Sequence, residues 1–236
     1  MAEATIKFDR DRANEYDPDI RKAIPGYEAL HYMAQILLQN SLDRSARLLI
    51  IGSGTGMELL NYSQANPDWQ LTGVEPSAEM MAIAKSELED RGLRSRSTLH
   101  TGYLDSLPKT EPMDAATLLL VMHFLPDDGS KLKLLQNIAL RLKPGAKLIL
   151  ADLYGNKSAP YFQEFMQAWQ TFYFSRLDET AKAKIEPNFS TMISNSIYFL
   201  TEARITELLQ QAGFKQISKF YNAFLFGGWI AEYAGN

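Results

Sequence analysis

One stretch constrains this chain more than any other. Leu48-Leu49-Ile50-Ile51 runs directly into Gly52-Ser53-Gly54-Thr55-Gly56, then Met57-Glu58-Leu59-Leu60. Four consecutive aliphatics predict a strand buried on both faces, the pattern of a central parallel strand. Three glycines allow a tight turn with no Cβ to block a ligand approaching the backbone. The residues after them open a helix whose free N–H groups point at whatever lies above the turn. Strand, glycine turn and helix together make a nucleotide-type binding corner.

The spacing narrows the ligand. A dinucleotide fingerprint places a small residue at the sixth position of G-x-G-x-x-G. Gly52 and Gly54 fit, but Met57 holds the sixth position and the third glycine comes one residue early at Gly56. This weakens a reading as an NAD or FAD site. Nineteen residues past Gly56, the strand-like Gln70–Val74 ends in Glu75. An acid there can accept both hydroxyls of a ribose.

The rest of the chain fits an α/β fold. Strands are expected at 48–51, 70–74, 96–101, 114–122 and 147–152, alternating with helices from Met57, over 77–91 with Ser77 as its cap, and over 129–142. Lys143-Pro144-Gly145-Ala146 reads as a turn into the fifth strand. A helix over 27–39 precedes the first strand, after a polar segment 1–15 and a 16–27 segment of aromatics among turn formers. Past residue 156 the alternation lapses. Pro160–Arg176 reads as an aromatic-rich helix and 178–190 as a loop with a further helical turn. Thr201–Ala212 is a helix stopped by Gly213. The strands 214–221 and 224–233 are too close for a parallel crossover and form an antiparallel hairpin.

The implied architecture is a Rossmann-like doubly wound sheet of seven strands, mostly parallel with an antiparallel last strand, plus a helical cap. Four segments follow: a cap at 1–45, a ligand-binding core at 46–155, a helical lid at 156–200, and a final helix with the hairpin at 201–236. The lid helix and residues 16–39 are expected to close over the site together.

Composition removes several function classes. The 236 residues carry a net charge of −4, which does not suit a dedicated nucleic-acid binder. Arg91, Arg94 and Arg96 cluster, but as a solvated helix end. No cysteine is present, which excludes disulfides, cysteine zinc sites and a thiol nucleophile. No metal site is expected. The first residues lack an apolar signal core and no apolar run approaches spanning length, so a cytoplasmic protein without a membrane partner is expected.

The Gly52–Gly56 turn, Glu75, Leu142-Lys143-Pro144-Gly145 and the closing hairpin together resemble the class I S-adenosylmethionine-dependent methyltransferases. A closer similarity is to the carboxy-S-adenosylmethionine synthases of tRNA wobble-uridine modification. It is carried by Ile24-Pro25-Gly26-Tyr27, Ala212-Gly213-Phe214 and Phe224-Leu225-Phe226-Gly227. The arginine that this branch uses for its extra carboxylate would fall near Phe189–Thr191 and is missing, and Leu119 or a neighbour stands for its asparagine. The chain is therefore expected to use S-adenosyl-L-methionine, with S-adenosyl-L-homocysteine as product, on a small-molecule acceptor. A carboxy-S-adenosylmethionine synthase-like enzyme and a non-catalytic cofactor-binding protein remain the alternatives.

The resemblance implies a set of site residues. Gly52, Ser53 and Gly54 lie under the methionine and ribose, and Glu75 takes the ribose hydroxyls. Pro76, Met80, Tyr103 and Leu104 flank the adenine, where Asp105 or backbone groups replace the acid the wider family carries at position 103. Leu119 and Leu120 face the sulfonium and Tyr27 contacts the cofactor; Arg21, by its chemistry, either pairs with the methionine carboxylate or is an exposed helix-end arginine. His123, just after the fourth strand, is the candidate base or else a half-buried histidine bonded to a backbone carbonyl; Asp152 and Tyr154 either line the acceptor pocket or cap the next helix. His31 reads as structural. The aromatics of 161–174 spread around their helix, so some face an acceptor, the N-terminal helix or a second copy of the chain as a homodimer.

Overall fold

The computed structural model describes residues 10–235; the polar segment at residues 1–9 lies outside the described residues. In chain order the strands are β1 (Arg47–Ile51), β2 (Gln70–Glu75), β3 (Ser97–Thr101), β4 (Met113–Leu119), β5 (Leu142–Leu153), β6 (Phe214–Ala223) and β7 (Phe226–Tyr233). They form a single sheet in the order β3-β2-β1-β4-β5-β7-β6. β1 pairs in parallel with β2 and β4, and β5 in parallel with β4, while β7 runs antiparallel to both β5 and β6. This is the expected seven-stranded α/β sheet.

The helices are α1 (Arg10–Ala23), α2 (Tyr27–Ser41), α3 (Met57–Ala65), α4 (Ala78–Asp90), α5 (Ser130–Ala139), α6 (Phe162–Phe174), α7 (Glu179–Ile185), α8 (Phe189–Ser196) and α9 (Glu202–Gln211). Alternation of side chains divides β1 between two cores. Leu48 and Ile50 join the core under α2, α3 and α4, whereas Leu49 and Ile51 join the one under α5 and α9. Burial on both faces is why the strand reads as an unbroken aliphatic run. The expected caps form: Ser77 Oγ accepts from the Met80 N–H at 3.2 Å, and Thr201 Oγ1 from that of Arg204 at 3.1 Å.

Four local expectations need correction. Residues 10–23 form a helix despite Pro18, which removes one internal bond. Packing supplies what propensity lacks: Ile20 and Ala23 lie against the core, and the Trp169 indole donates to the Ala23 carbonyl at 2.8 Å. The 178–190 segment contains α7, capped by Asp178, and leads into α8, whose Phe189 and Ile193 are buried one turn apart. The fourth strand stops at Leu119; Leu120 turns the chain at φ +60° and Met122–Phe124 form a short 3-10 turn. β5 starts five residues early and absorbs Lys143-Pro144-Gly145. A register shift opposite Met113–Ala115 accommodates the proline that a regular ladder would exclude.

Candidate functional site

In the strand order, β1 and β4 are neighbours from which the chain winds in opposite directions. Their carboxyl ends therefore border the crevice where open α/β sheets bind ligands. The glycine turn fills this position, with φ of +72°, +52° and +95° at Gly52, Gly54 and Gly56. The three glycines have different reasons to lack a side chain. A Cβ on Gly52 would stand 2.2 Å from Val121 Cγ2, and one on Gly56 2.9 Å from Ala84 Cβ. A Cβ on Gly54 would meet nothing within 4 Å. Gly52 and Gly56 let the turn pack on the β4 loop and on α4; Gly54 presents bare backbone to open space.

Glu75 lies beside that space and is 6% exposed. Its Oε2 accepts from the Gly54 N–H and its Oε1 from the Ser77 N–H, both at 3.0 Å. Burial pushes the carboxyl up from its usual range, and the two N–H donors pull it back. No ion pair includes it among the described residues. It is a fixed acceptor with lone pairs to spare, which fits a ribose diol. The adjacent Ser53 hydroxyl is buried without a partner.

Around the far side, Gly102 N–H donates to the Glu75 carbonyl at 2.9 Å, holding the 102–106 turn against β2. Met80 and Leu104 are buried, while Pro76, Tyr103 and Asp105 are exposed. The Leu104 carbonyl already accepts from Arg141 at 3.0 Å. The arginines that cluster after α4 are engaged locally: Arg96 reaches the Asn66 and Ser63 carbonyls, and Arg91 pairs with Glu87.

α1 and α2 bound the other side. The Thr55 hydroxyl donates to Asp17, which ties α1 to the glycine turn. Arg21 pairs with Glu28 at 2.7 Å, lies 3.6 Å from Met57 Sδ, and sits 5.7 Å from the centre of the Tyr27 ring. Tyr27 is buried, and desolvation raises its hydroxyl well above the ordinary value. The Tyr221 hydroxyl donates to the Pro25 carbonyl and so fixes the Pro25-Gly26-Tyr27 corner to β6. Beneath lie two buried polar groups. Both His31 ring nitrogens lack partners, and desolvation brings this imidazole down to about 4. Glu58 is buried too, and desolvation takes its carboxyl up to about 7 against the opposing pull of the Thr117 and Tyr62 hydroxyls.

The ends of β4 and β5 meet at a third cluster. His123, two residues past Val121, directs Nδ1 at Asp152 Oδ1, and the two are 4% and 1% exposed. Asp152 lies inside β5 and also accepts from the Leu153 N–H at 2.9 Å, so it caps no helix. Tyr154 caps none either: its hydroxyl donates to Asn222 and accepts from Lys219. An imidazole whose Nδ1–H is held by a carboxylate keeps Nε2 free to take a proton. Lys131 completes the cluster. It is fully buried, donating to the Met122 carbonyl at 2.7 Å and the Tyr198 carbonyl at 3.2 Å.

Of the expected residues, Gly54 and Glu75 meet directly, His123, two residues past Val121, joins Asp152 in a cluster, and Arg21 is already paired to Glu28. Two contributors escaped the sequence reading. Asp17 sits in a stretch that resembles a turn. Lys131 carries a usable signal: with Leu135 and Ile138 it follows the spacing of the buried stripe of α5, where a lysine is out of place.

The seven-stranded sheet is the fold of the class I S-adenosylmethionine-dependent methyltransferases. Residues 49–148, from β1 to β5, match the family described as a methyltransferase domain. The chain is similar to the carboxy-S-adenosyl-L-methionine synthase of Hydrogenovibrio crunogenus, with 24% identity over 96% of this chain and 88% of that protein. Its fold is also that of a putative O-methyltransferase from Nostoc punctiforme, at 18% identity and a TM-score of 0.66 over 94% of this chain. An O-methyltransferase family 2 protein from Planctomyces limnophilus, solved with apigenin, gives 18% identity and the same TM-score over 98% of this chain. The chain spans only 59% and 63% of those two structures. No helix among the described residues is long and apolar enough to cross a membrane.

Proposed function

We propose that this enzyme methylates a small, partly apolar acceptor and that His123 removes the acceptor's proton. The observation that carries the reading is the buried His123–Asp152 pair at the ends of two adjacent central strands. S-adenosyl-L-methionine supplies a methyl group on a sulfonium, which the acceptor displaces directly to leave S-adenosyl-L-homocysteine. The protein's part is alignment, exclusion of water and custody of one proton.

In this reading Gly52, Ser53 and Gly54 cradle the cofactor and Glu75 holds its ribose hydroxyls. Pro76, Met80, Tyr103 and Leu104 enclose the adenine, and Leu119 and Leu120 face the methyl. Tyr27 and Arg21 take the methionine end, with Arg21 exchanging Glu28 for the ligand carboxylate. Asp152 orients the His123 ring. α1, α2 and α6 act as the lid. A small acceptor suits the acidic chain and the aromatic cover, from which Tyr161 and Phe165 protrude at 63% and 44% exposure.

A second reading, synthesis of carboxy-S-adenosylmethionine, is favoured by the Pro25-Gly26-Tyr27 corner and the full-length similarity. The 189–191 stretch opposes it: Phe189 is buried edge-on to Trp169 at 5.4 Å, and no guanidinium comes from this stretch. The test is to incubate the protein with S-adenosyl-L-methionine and a panel of small phenols, following S-adenosyl-L-homocysteine release and product masses. Methylated phenol is expected, with transfer falling by about 10²–10⁴-fold in His123→Gln while calorimetric cofactor binding persists. A cofactor heavier by one carboxylate would install the second reading. Transfer at full rate by His123→Gln would remove the base from His123.

A further inference from the structure

Lys131 is the one group of the His123 cluster with no part in the reaction as drawn, and its position is costly. A fully buried ammonium loses its hydration, and here desolvation draws its titration down from the ordinary lysine range. The opposing influences on it are the carboxylates of Asp152 and Asp127. Asp127 already accepts from Nε and Nη2, one edge of the Arg204 guanidinium of α9, at 2.9 and 3.1 Å, and Arg204 Nη1 also pairs with Glu207. Asp152 pairs with His123, and its carboxylate also acts on the Lys131 ammonium. Lys131 thus places a positive charge beside the turn that carries His123, at 2.7 Å from the Met122 carbonyl.

The hydrogen bonds give Lys131 a second task. The Met122 carbonyl belongs to the short turn that carries His123, and the Tyr198 carbonyl to the segment after α8. The Tyr198 N–H in turn donates to the His123 carbonyl at 2.9 Å. One ammonium therefore pins the turn bearing the proposed base to the segment that ends the helical insertion.

We infer that Lys131 is a positioning residue for the methyl transfer: it neutralises Asp152 and clamps the His123 turn to residue 198, so that His123 is held uncharged with Nε2 free. This rests on the reading of His123 as the base, but it can be tested without an acceptor. The sequence contains three histidines, so the imidazole nitrogens of His123 can be resolved in full-length ¹⁵N-labelled protein by NMR. Three variants separate the tasks. Lys131→Gln keeps donors for the two carbonyls and drops the charge, Lys131→Met drops both, and Lys131→Met with Asp152→Asn drops the matched pair of charges.

The expected result is a His123 titration midpoint higher by roughly one pH unit in both single variants, since the imidazolium must then balance Asp152 alone. In the double variant the midpoint returns toward that of the parent protein. The acid limb of methyl transfer moves with the midpoint. Should Lys131→Met fail to fold, Lys131→Gln carries the same comparison. An unchanged midpoint in Lys131→Gln would overturn the inference and leave Lys131 as a carbonyl clamp. A parent His123 protonated at Nε2 rather than Nδ1 would instead undo the base reading itself, a separate outcome of the same spectra.

Discussion

The three glycines of the turn offer a test that binding assays and melting curves can divide between them. Replacing Gly54 with alanine forces a Cβ into the left-handed region at φ +52°, but the new methyl meets nothing within 4 Å. The folding cost is then the backbone term alone, about 1–2 kcal/mol, and the melting temperature of a chain this long falls by about 2–8 °C. Gly52→Ala carries the same backbone cost at φ +72° and adds a clash, because its Cβ would come within 2.2 Å of Val121 Cγ2. Overpacking of that kind costs a further 1–3 kcal/mol or so, and displaces the loop leading to His123. The two variants should therefore separate. Gly54→Ala remains folded but loses S-adenosyl-L-methionine affinity by at least about tenfold, roughly 1.4 kcal/mol, since its methyl occupies the ligand's space. Gly52→Ala melts lower than Gly54→Ala. Scanning calorimetry and isothermal titration with the cofactor measure both effects. Cofactor binding by Gly54→Ala at the parent affinity would refute the reasoning, because the open space over Gly54 would then not be where the cofactor lies.

Two further predictions come from the interior. Glu58 and His31 should tilt the pH dependence of stability in opposite directions. Glu58 titrates at about 7 when folded, above its ordinary 4.5, so its contribution is full below 4.5 and is lost as pH rises through 7. His31 titrates at about 4 when folded, below its ordinary 6.5, so stability is lost as pH falls from 6.5 through 4. Between about 4.5 and 6.5 the two slopes offset each other in the parent protein. Urea melts of Glu58→Gln should show about 3 kcal/mol more stability at pH 8 than the parent and little difference at pH 4, and His31→Phe should gain at pH 4. A parent-like profile in both would contradict the burial of these groups. Trp169→Phe keeps the aromatic packing on Phe189 and Phe226 but removes the indole bond to the Ala23 carbonyl. Limited proteolysis should then cut within α1 several times faster, with the rest of the chain protected; an unchanged rate would mean that the Asp17–Thr55 contact alone holds α1.

Much of the framework is legible locally. The β1 aliphatics, the three glycines and the acid closing β2 must occur in that order because strand, turn and helix are consecutive, so both the crevice and Glu75 follow from short-range pattern. Ser77 and Thr201 cap as expected because a cap is a contact across three residues. The hairpin direction follows from the shortness of its connection. Each of these features is fixed by neighbours in the chain.

What sequence alone left open depends on partners far away in the chain. α1 reads as turn formers and becomes a helix because Trp169 and Thr55 hold it from 146 and 38 residues away. Pro144 reads as a turn and lies within β5 because the register shift opposite β4 admits it. His123 could be recognised, but its pairing with Asp152 across 29 residues and the Lys131 ammonium beneath it required β4, β5 and α5 to be assembled. The chain's local chemistry determined the fold class and the cofactor corner. Tertiary packing decided which polar groups lost their water together, and it is that shared burial that brings an imidazole, a carboxylate and an ammonium from three separate elements into one cluster.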